Sequence, residues 1–89
     1  GDWKVVYDLK PKDKESNVIE SYGEQSRHLG IETNDCLIEA GDRLVATAGV
    51  SNLIIIETKE AVLVCSKDKA QEVKKIVERL KLENLKEYL

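Results

Sequence analysis

The chain has no phenylalanine, one tryptophan, one histidine, one proline, two cysteines and five glycines in 89 residues. Each shortage excludes something. Phosphate cradles need closely spaced glycines, because backbone amides must approach the anion with no Cβ in the way. The glycines stand at 1, 23, 30, 41 and 49, with the closest pair seven positions apart, so neither a dinucleotide fingerprint nor a P-loop can form. Two cysteines, Cys36 and Cys65, are too few for a disulfide framework, and their aliphatic neighbours predict buried, reduced thiols. The lone His28 lies eight residues from Cys36, and Cys65 lies 29 further on, whereas structural zinc sites usually bring a close ligand pair. No apolar run exceeds five residues, far short of a bilayer span, and no signal peptide is recognisable, so a cytoplasmic chain is expected.

What is present is aliphatic and charged. The sequence is 42% hydrophobic, mostly Val, Ile and Leu, and 35% charged, which suits one small globular domain with a branched, strand-forming core. Its net charge of −3 has the wrong sign for nucleic acid. Residues 67–89 hold seven Lys/Arg against five Asp/Glu, a mildly basic tail on an acidic body that reads as a solvated helix face ahead of a self-association surface.

The chain divides into residues 1–16, 17–66 and 67–89. In the first part, Trp3, Val6 and Tyr7 have helical spacing with Asp2 placed to cap, and Pro11 stops the element before a charged connector. In the second, six short segments read as strands: Asn17–Ser21, His28–Thr33, Cys36–Ala40, Leu44–Val50, Leu53–Glu57 and Ala61–Cys65. Turn residues such as Asn34-Asp35, Gly41-Asp42, Ser51-Asn52 and Lys59-Glu60 separate them. Aliphatic residues recur at 31, 37, 44, 50, 56 and 62, close to the six-residue period of a β-solenoid. The expected fold is therefore mainly β with a C-terminal α-helix, a short β-solenoid. An antiparallel β meander capped by a helix stays open, with Gly41-Asp42 and Lys59-Glu60 closing hairpins. The third part begins with Asp68 and Gln71 as a capping-box pair, with Ser66 competing for the cap. Ala70, Val73, Ile76, Val77 and Leu80 then form a helical stripe, and a bend or second short helix is expected near residues 81–83.

The expected core comprises Leu44, Val50, Leu53, Ile55, Ile56, Val62, Val64, Val73, Val77 and Leu80. Alternation turns Ile55 and Ile56 to opposite faces, so both are buried only if the outer face is covered. No catalytic, cofactor-binding or metal residue is assigned. Serines 16, 21, 26, 51 and 66 fall in loops or at strand ends without a nucleophile elbow, and Asp42 and Glu60 read as turn residues. Taken alone, these residues describe a scaffold. Strand edges and the N-terminal helix, with Trp3 as anchor, are the expected route of self-association.

Three stretches resemble the mannose-1-phosphate guanylyltransferases. Gly1-Asp2-Trp3 through Lys10-Pro11-Lys12-Asp13 and Ser16-Asn17-Val18-Ile19 is similar to the family's Gly-x-Trp turn, short helix and connector, with Lys10 in place of a leucine and Ser16 in place of a glycine. Arg43–Val50 and Asn52–Val64 resemble its Val-Ala-x-x-Gly-Val, aliphatic strand, acidic-Thr and Ala-Val-Leu-Val pattern. Lys67–Val77 looks like the helix that follows. The resemblance implies a C-terminal domain of left-handed β-helix character, which packs on its own N-terminal catalytic domain and takes part in dimer contacts. It implies a parent enzyme that converts GTP and mannose 1-phosphate into GDP-mannose and pyrophosphate. GTP and Mg2+ would be held by a catalytic domain not represented in these residues; Asp2 inherits no metal role. Relatives of the bifunctional type continue into a cupin-like isomerase domain, and an end at Leu89 favours the shorter type, although a cut boundary would look the same.

Overall fold

In the computed structural model, which describes residues 2–89, the Asp2 carboxylate accepts a hydrogen bond from the Lys4 amide at 2.8 Å and starts helix α1, Trp3–Leu9. Gly1, the first position of the Gly-x-Trp turn, lies outside the described residues. Lys10 is extended, at ψ 152°, as a residue before proline must be. Six strands follow: β1 (Val18–Ser21), β2 (Arg27–Asn34), β3 (Leu37–Ala40), β4 (Leu44–Ser51), β5 (Leu53–Glu57) and β6 (Val62–Ser66). A 3-10 turn, Lys67–Glu72, leads into helix α2, Val73–Leu82. Ser66, not Asp68, takes the cap: its hydroxyl accepts from the Asp68 amide at 3.2 Å. Asn84, at φ 59°, turns the chain into a last 3-10 turn, Lys86–Tyr88.

The strands wind as a coil. One sheet has the order β1-β3-β5-β6 and the other β2-β4. All pairings are parallel except β5 with β6, a hairpin closed through Lys59-Glu60. Gly41-Asp42 closes no hairpin; it is a corner between β3 in one sheet and β4 in the other. The registers Val18↔Leu37↔Ile54 and Arg27↔Leu44 set a rung of 17 to 19 residues. The expected six-residue inward register is therefore wrong. Ile31, Leu44 and Val62 of that series are 64%, 52% and 57% exposed, whereas Leu37 is fully buried.

Corners, not apolar spacing, set the true period. Ser16, Asp35 and Asn52 occupy equivalent corners with φ of 62°, 58° and 58°, a left-handed conformation that Asn and Asp tolerate better than most residues. Glu32 (φ 47°) and Gly49 (φ 65°) form a second stacked kink, 17 residues apart. At the third corner glycine is needed for close approach. A Cβ on Gly23 would stand 2.6 Å from the Gly41 carbonyl oxygen, and one on Gly41 would stand 2.5 Å from that of Glu57. Asn17 staples two rungs from inside: its amide donates to the Thr33 carbonyl at 2.8 Å and accepts from the Cys36 amide at 2.9 Å.

The four-stranded sheet is covered on both faces, and this makes the core. Its outer row, Val18, Leu37 and Ile54, packs under Tyr7 of α1 and Ala70 of the 3-10 turn, with Trp3, Val6, Ile56 and Cys65 at the edge. Its inner row, Ile38 and Ile55 with Cys36, faces Val45 and Val50 of β4. Ile55 and Ile56 thus point to opposite faces, each with cover, as alternation requires. The remaining expected core residues fare less well. Val64 (56% exposed) joins Leu44 and Val62 outside, and Val50, Leu53, Val73, Val77 and Leu80 are only half-buried. The connector is also less idle than its composition suggests. The Tyr7 hydroxyl donates to the Ser16 carbonyl at 2.6 Å, and the buried Lys67 ammonium lies 3.5 Å over the Tyr7 ring while donating to the Asp35 carbonyl. Tyr7 is buried on its own sheet, Trp3 is partly buried beside it, and Val5 and Leu9 of α1 are exposed.

Candidate functional site

The titratable residues do not converge on a reaction centre. Cys36 belongs to the inner cluster and Cys65 to the outer one, so the sheet itself separates the two thiols, and both are free. His28 sits half-buried on β2, an edge strand of the two-stranded sheet. Its Nε2 is 2.8 Å from the Thr47 hydroxyl, which is 2.7 Å from that of Thr33. Burial lowers the His28 pKa, opposed by the negative charge of Asp13. Gly30 makes room for the ring, since a Cβ there would lie 2.6 Å from it. Among the described residues, no group of three or more His, Cys, Asp or Glu side chains could hold a metal ion. The serines are structural or exposed: Ser26 bonds the Gly23 carbonyl, Ser66 caps a turn, Ser16 forms a corner, and Ser21 and Ser51 are exposed at strand ends.

The buried carboxylate of Glu57 has a positional role. It closes the glycine corner by accepting from the amides of Gly41, Asp42 and Arg43 at 3.0, 3.1 and 3.2 Å and from the Arg43 guanidinium at 3.1 Å. Burial alone would raise its pKa. The three amides and the guanidinium outweigh that and hold it below the usual carboxylate range. Arg43 also donates to the Thr58 and Lys59 carbonyls, so the hairpin is tied to the corner of the preceding rung. Neither role of Glu57 was legible in the sequence, where it ends a strand as an ordinary acid.

What remains for function is surface. One sheet has four strands and the other two, so the inner face of β6 overhangs the unpaired edge of β4. That mismatch leaves Val62 and Val64 exposed and gives the coil an open end. The edge itself, Leu44–Ser51, carries no charge to deter pairing. Around the side, Leu29, Ile31 and Leu44 are 58%, 64% and 52% exposed on the outer face of the two-stranded sheet. Isolated exposed apolar residues are normal on a soluble protein, and three that share one sheet face form a candidate contact surface. No helix is long and apolar enough to cross a membrane among the described residues.

Comparison with known proteins agrees with this architecture. Residues 26–80 match the family model of the MannoseP isomerase/GMP-like beta-helix domain. Mannose-1-phosphate guanylyltransferases of Klebsiella pneumoniae and Escherichia coli are each 40% identical over 88 residues, 99% of this chain. The chain spans 18% of the length of those relatives and corresponds to part of their C-terminal region. The crystal structure of a mannose-1-phosphate geranyltransferase from Thermus thermophilus superposes with a TM-score of 0.77 at 35% identity, covering 90% of this chain and 23% of that one. A coil of stacked parallel rungs, closed by a hairpin and a helical segment, thus coincides with a family match over more than half its length, and the chain belongs to the MannoseP isomerase/GMP-like β-helix domain family.

Proposed function

We propose that the chain is the accessory domain of a mannose-1-phosphate guanylyltransferase, an enzyme that joins GTP and mannose 1-phosphate into GDP-mannose with release of pyrophosphate. The observation that carries this reading is the reach of the likeness: 40% identity runs through 99% of the chain, including α1 and the connector as well as the coil. Those segments are integral here, since Tyr7 and Ser16 join them to the sheet. In this reading the chemistry belongs to an N-terminal catalytic domain, which holds GTP and Mg2+, and the enzyme works in the cytoplasm. The coil contributes surface to that domain and to a second copy. The second copy docks at the open end, where the uncharged edge of β4 pairs with its own equivalent across a two-fold axis and covers Val62 and Val64.

Expression of the whole reading frame, assayed for GDP-mannose formation from GTP and mannose 1-phosphate, tests the assignment. Turnover with mannose 1-phosphate and GTP is expected. A full-length product that forms no GDP-mannose would reject the enzymatic assignment, and a reading frame that begins just upstream of Gly1 would make this a free-standing binding module. Sedimentation tests the second-copy contact separately: the concentration dependence of association should weaken in Val64→Lys, and an unchanged dimer in that variant would move the contact elsewhere.

A further inference from the structure

Helix α2 is amphipathic, and its own domain leaves that face largely uncovered. None of its ten residues is buried; Val73, Val77 and Leu80 are half-buried and Ile76 is 43% exposed. It packs chiefly on the two 3-10 turns that flank it, and of the expected stripe only Ala70, which precedes the helix, is buried in the core. Helices of this length are marginal in water without tertiary cover, so a ten-residue helix standing off its domain implies a missing partner. Its far side sets Ile76 and Leu80 beside Lys75 and Arg79, which pair with Glu72 and Glu83.

The near side borders an open trough of about 680 Å³ where Ala70, Val73 and Val77 lie among the polar Gln71, Lys74, Glu78 and Lys81, with Asp2 on its margin. Asp2 is where the described chain enters the domain. Polypeptide that precedes the equivalent of Asp2 in relatives of which this chain spans only 18% therefore joins the domain at a residue that lines the trough. A covalently adjacent segment reaches such a site at high effective concentration, which a free partner does not.

We infer that the α2 trough seats the segment that directly precedes Gly1 in the longer enzyme, an apolar-faced stretch that packs on Val73 and Val77. This rests on the reading of the chain as an accessory domain. Cysteine footprinting tests it in the full-length enzyme and in the 89-residue chain, on a Cys65→Ser background with Cys36 buried. Val77→Cys reports the trough and Lys75→Cys the far side, with circular dichroism showing that each variant is folded. Alkylation at position 77 should be about ten-fold slower in the full-length enzyme than in the short chain, while position 75 changes less than about two-fold, the pattern of a locally covered face. Equal reactivity at position 77 in both proteins overturns the inference. So does protection that appears in the short chain as its concentration rises, because a second copy is then the occupant. GDP-mannose formation is scored on the same full-length variants. An active enzyme with an unprotected position 77 rejects the trough alone, whereas a protected position 77 in a protein that makes no GDP-mannose rejects the enzymatic reading alone.

Discussion

The rung length of the coil has a direct energetic consequence at single residues. Ile54 is fully buried on the outer face of the four-stranded sheet, stacked on Leu37 and Val18 under Tyr7. Ile54→Ala removes three carbon groups, about 2.4 kcal/mol at 0.8 kcal/mol per buried methylene. The cavity left between two stacked strands and a helix adds to that, giving roughly 3 kcal/mol, within the 2–5 kcal/mol range for such truncations. Ile31 belongs to the six-residue series but is 64% exposed, so Ile31→Ala should cost less than about 0.5 kcal/mol. Half-buried Ile56 should fall between them, at about 1–2 kcal/mol. An 89-residue chain has a total stability of roughly 4–13 kcal/mol, so the Ile54 change consumes a large share of it. Urea titration followed by Trp3 fluorescence reads this well, because Trp3 packs against the cluster that contains Ile54. At about 1 kcal/mol per molar, the midpoint should drop by roughly 2–3 M in Ile54→Ala and barely move in Ile31→Ala. Equal losses at positions 31 and 54, or a loss below about 0.5 kcal/mol at 54, would refute the 17-residue rung.

Three further outcomes follow from the corners and the staple. Gly41→Ala should destabilise strongly, because the new Cβ would meet a backbone oxygen at 2.5 Å, whereas Gly49→Ala meets nothing within 4 Å and should cost only the roughly 1 kcal/mol of its positive φ; thermal melts of the two variants compare them directly. Asn17→Leu should cost about 2–3 kcal/mol in chemical denaturation, since it strands the Thr33 carbonyl and the Cys36 amide inside the coil. Glu57 has a folded pKa below its unfolded one, so its contribution is present above the unfolded value near 4.3 and is lost as pH falls through the folded value. A Glu57→Gln variant should be less stable at neutral pH and show a flatter stability profile below about pH 4; an unchanged acid profile would mean that the carboxylate corner is not formed in solution.

How legible was this in the sequence? Local chemistry was read well. Asp2 caps α1, Pro11 ends it, Lys59-Glu60 closes a hairpin, and six strands stand within a residue or so of their expected places. These features depend on neighbours a few residues apart, which a sequence displays directly. The rung register was not read, because an apolar side chain on an uncovered surface is indistinguishable in sequence from one in a core. Leu29, Ile31, Leu44, Val62 and Val64 carry the same aliphatic signal as Leu37 and Ile54, and they supplied part of the six-residue series. The sequence did hold the right period in its turn residues. Asp35 and Asn52, and Glu32 and Gly49, are each spaced by 17, the same step as Leu37↔Ile54.

That failure of periodicity is itself informative about function. A self-sufficient domain sorts apolar residues inward and polar residues outward, so its pattern and its burial agree. Within the strands they disagree on the outer face of β2 and β4 and at the overhang of β6, and outside them along α1, at Tyr22 and from Ile76 to the C-terminal residues. The four-stranded sheet, covered on both faces, shows no such conflict. Apolar residues retained where water reaches them cost solubility and contribute nothing to the coil, so their place in a foldable sequence is explained by surfaces that bury them in a larger assembly. On the proposed reading, these exposed aliphatic positions are the contact surfaces, and substitutions there should change assembly while leaving the coil intact.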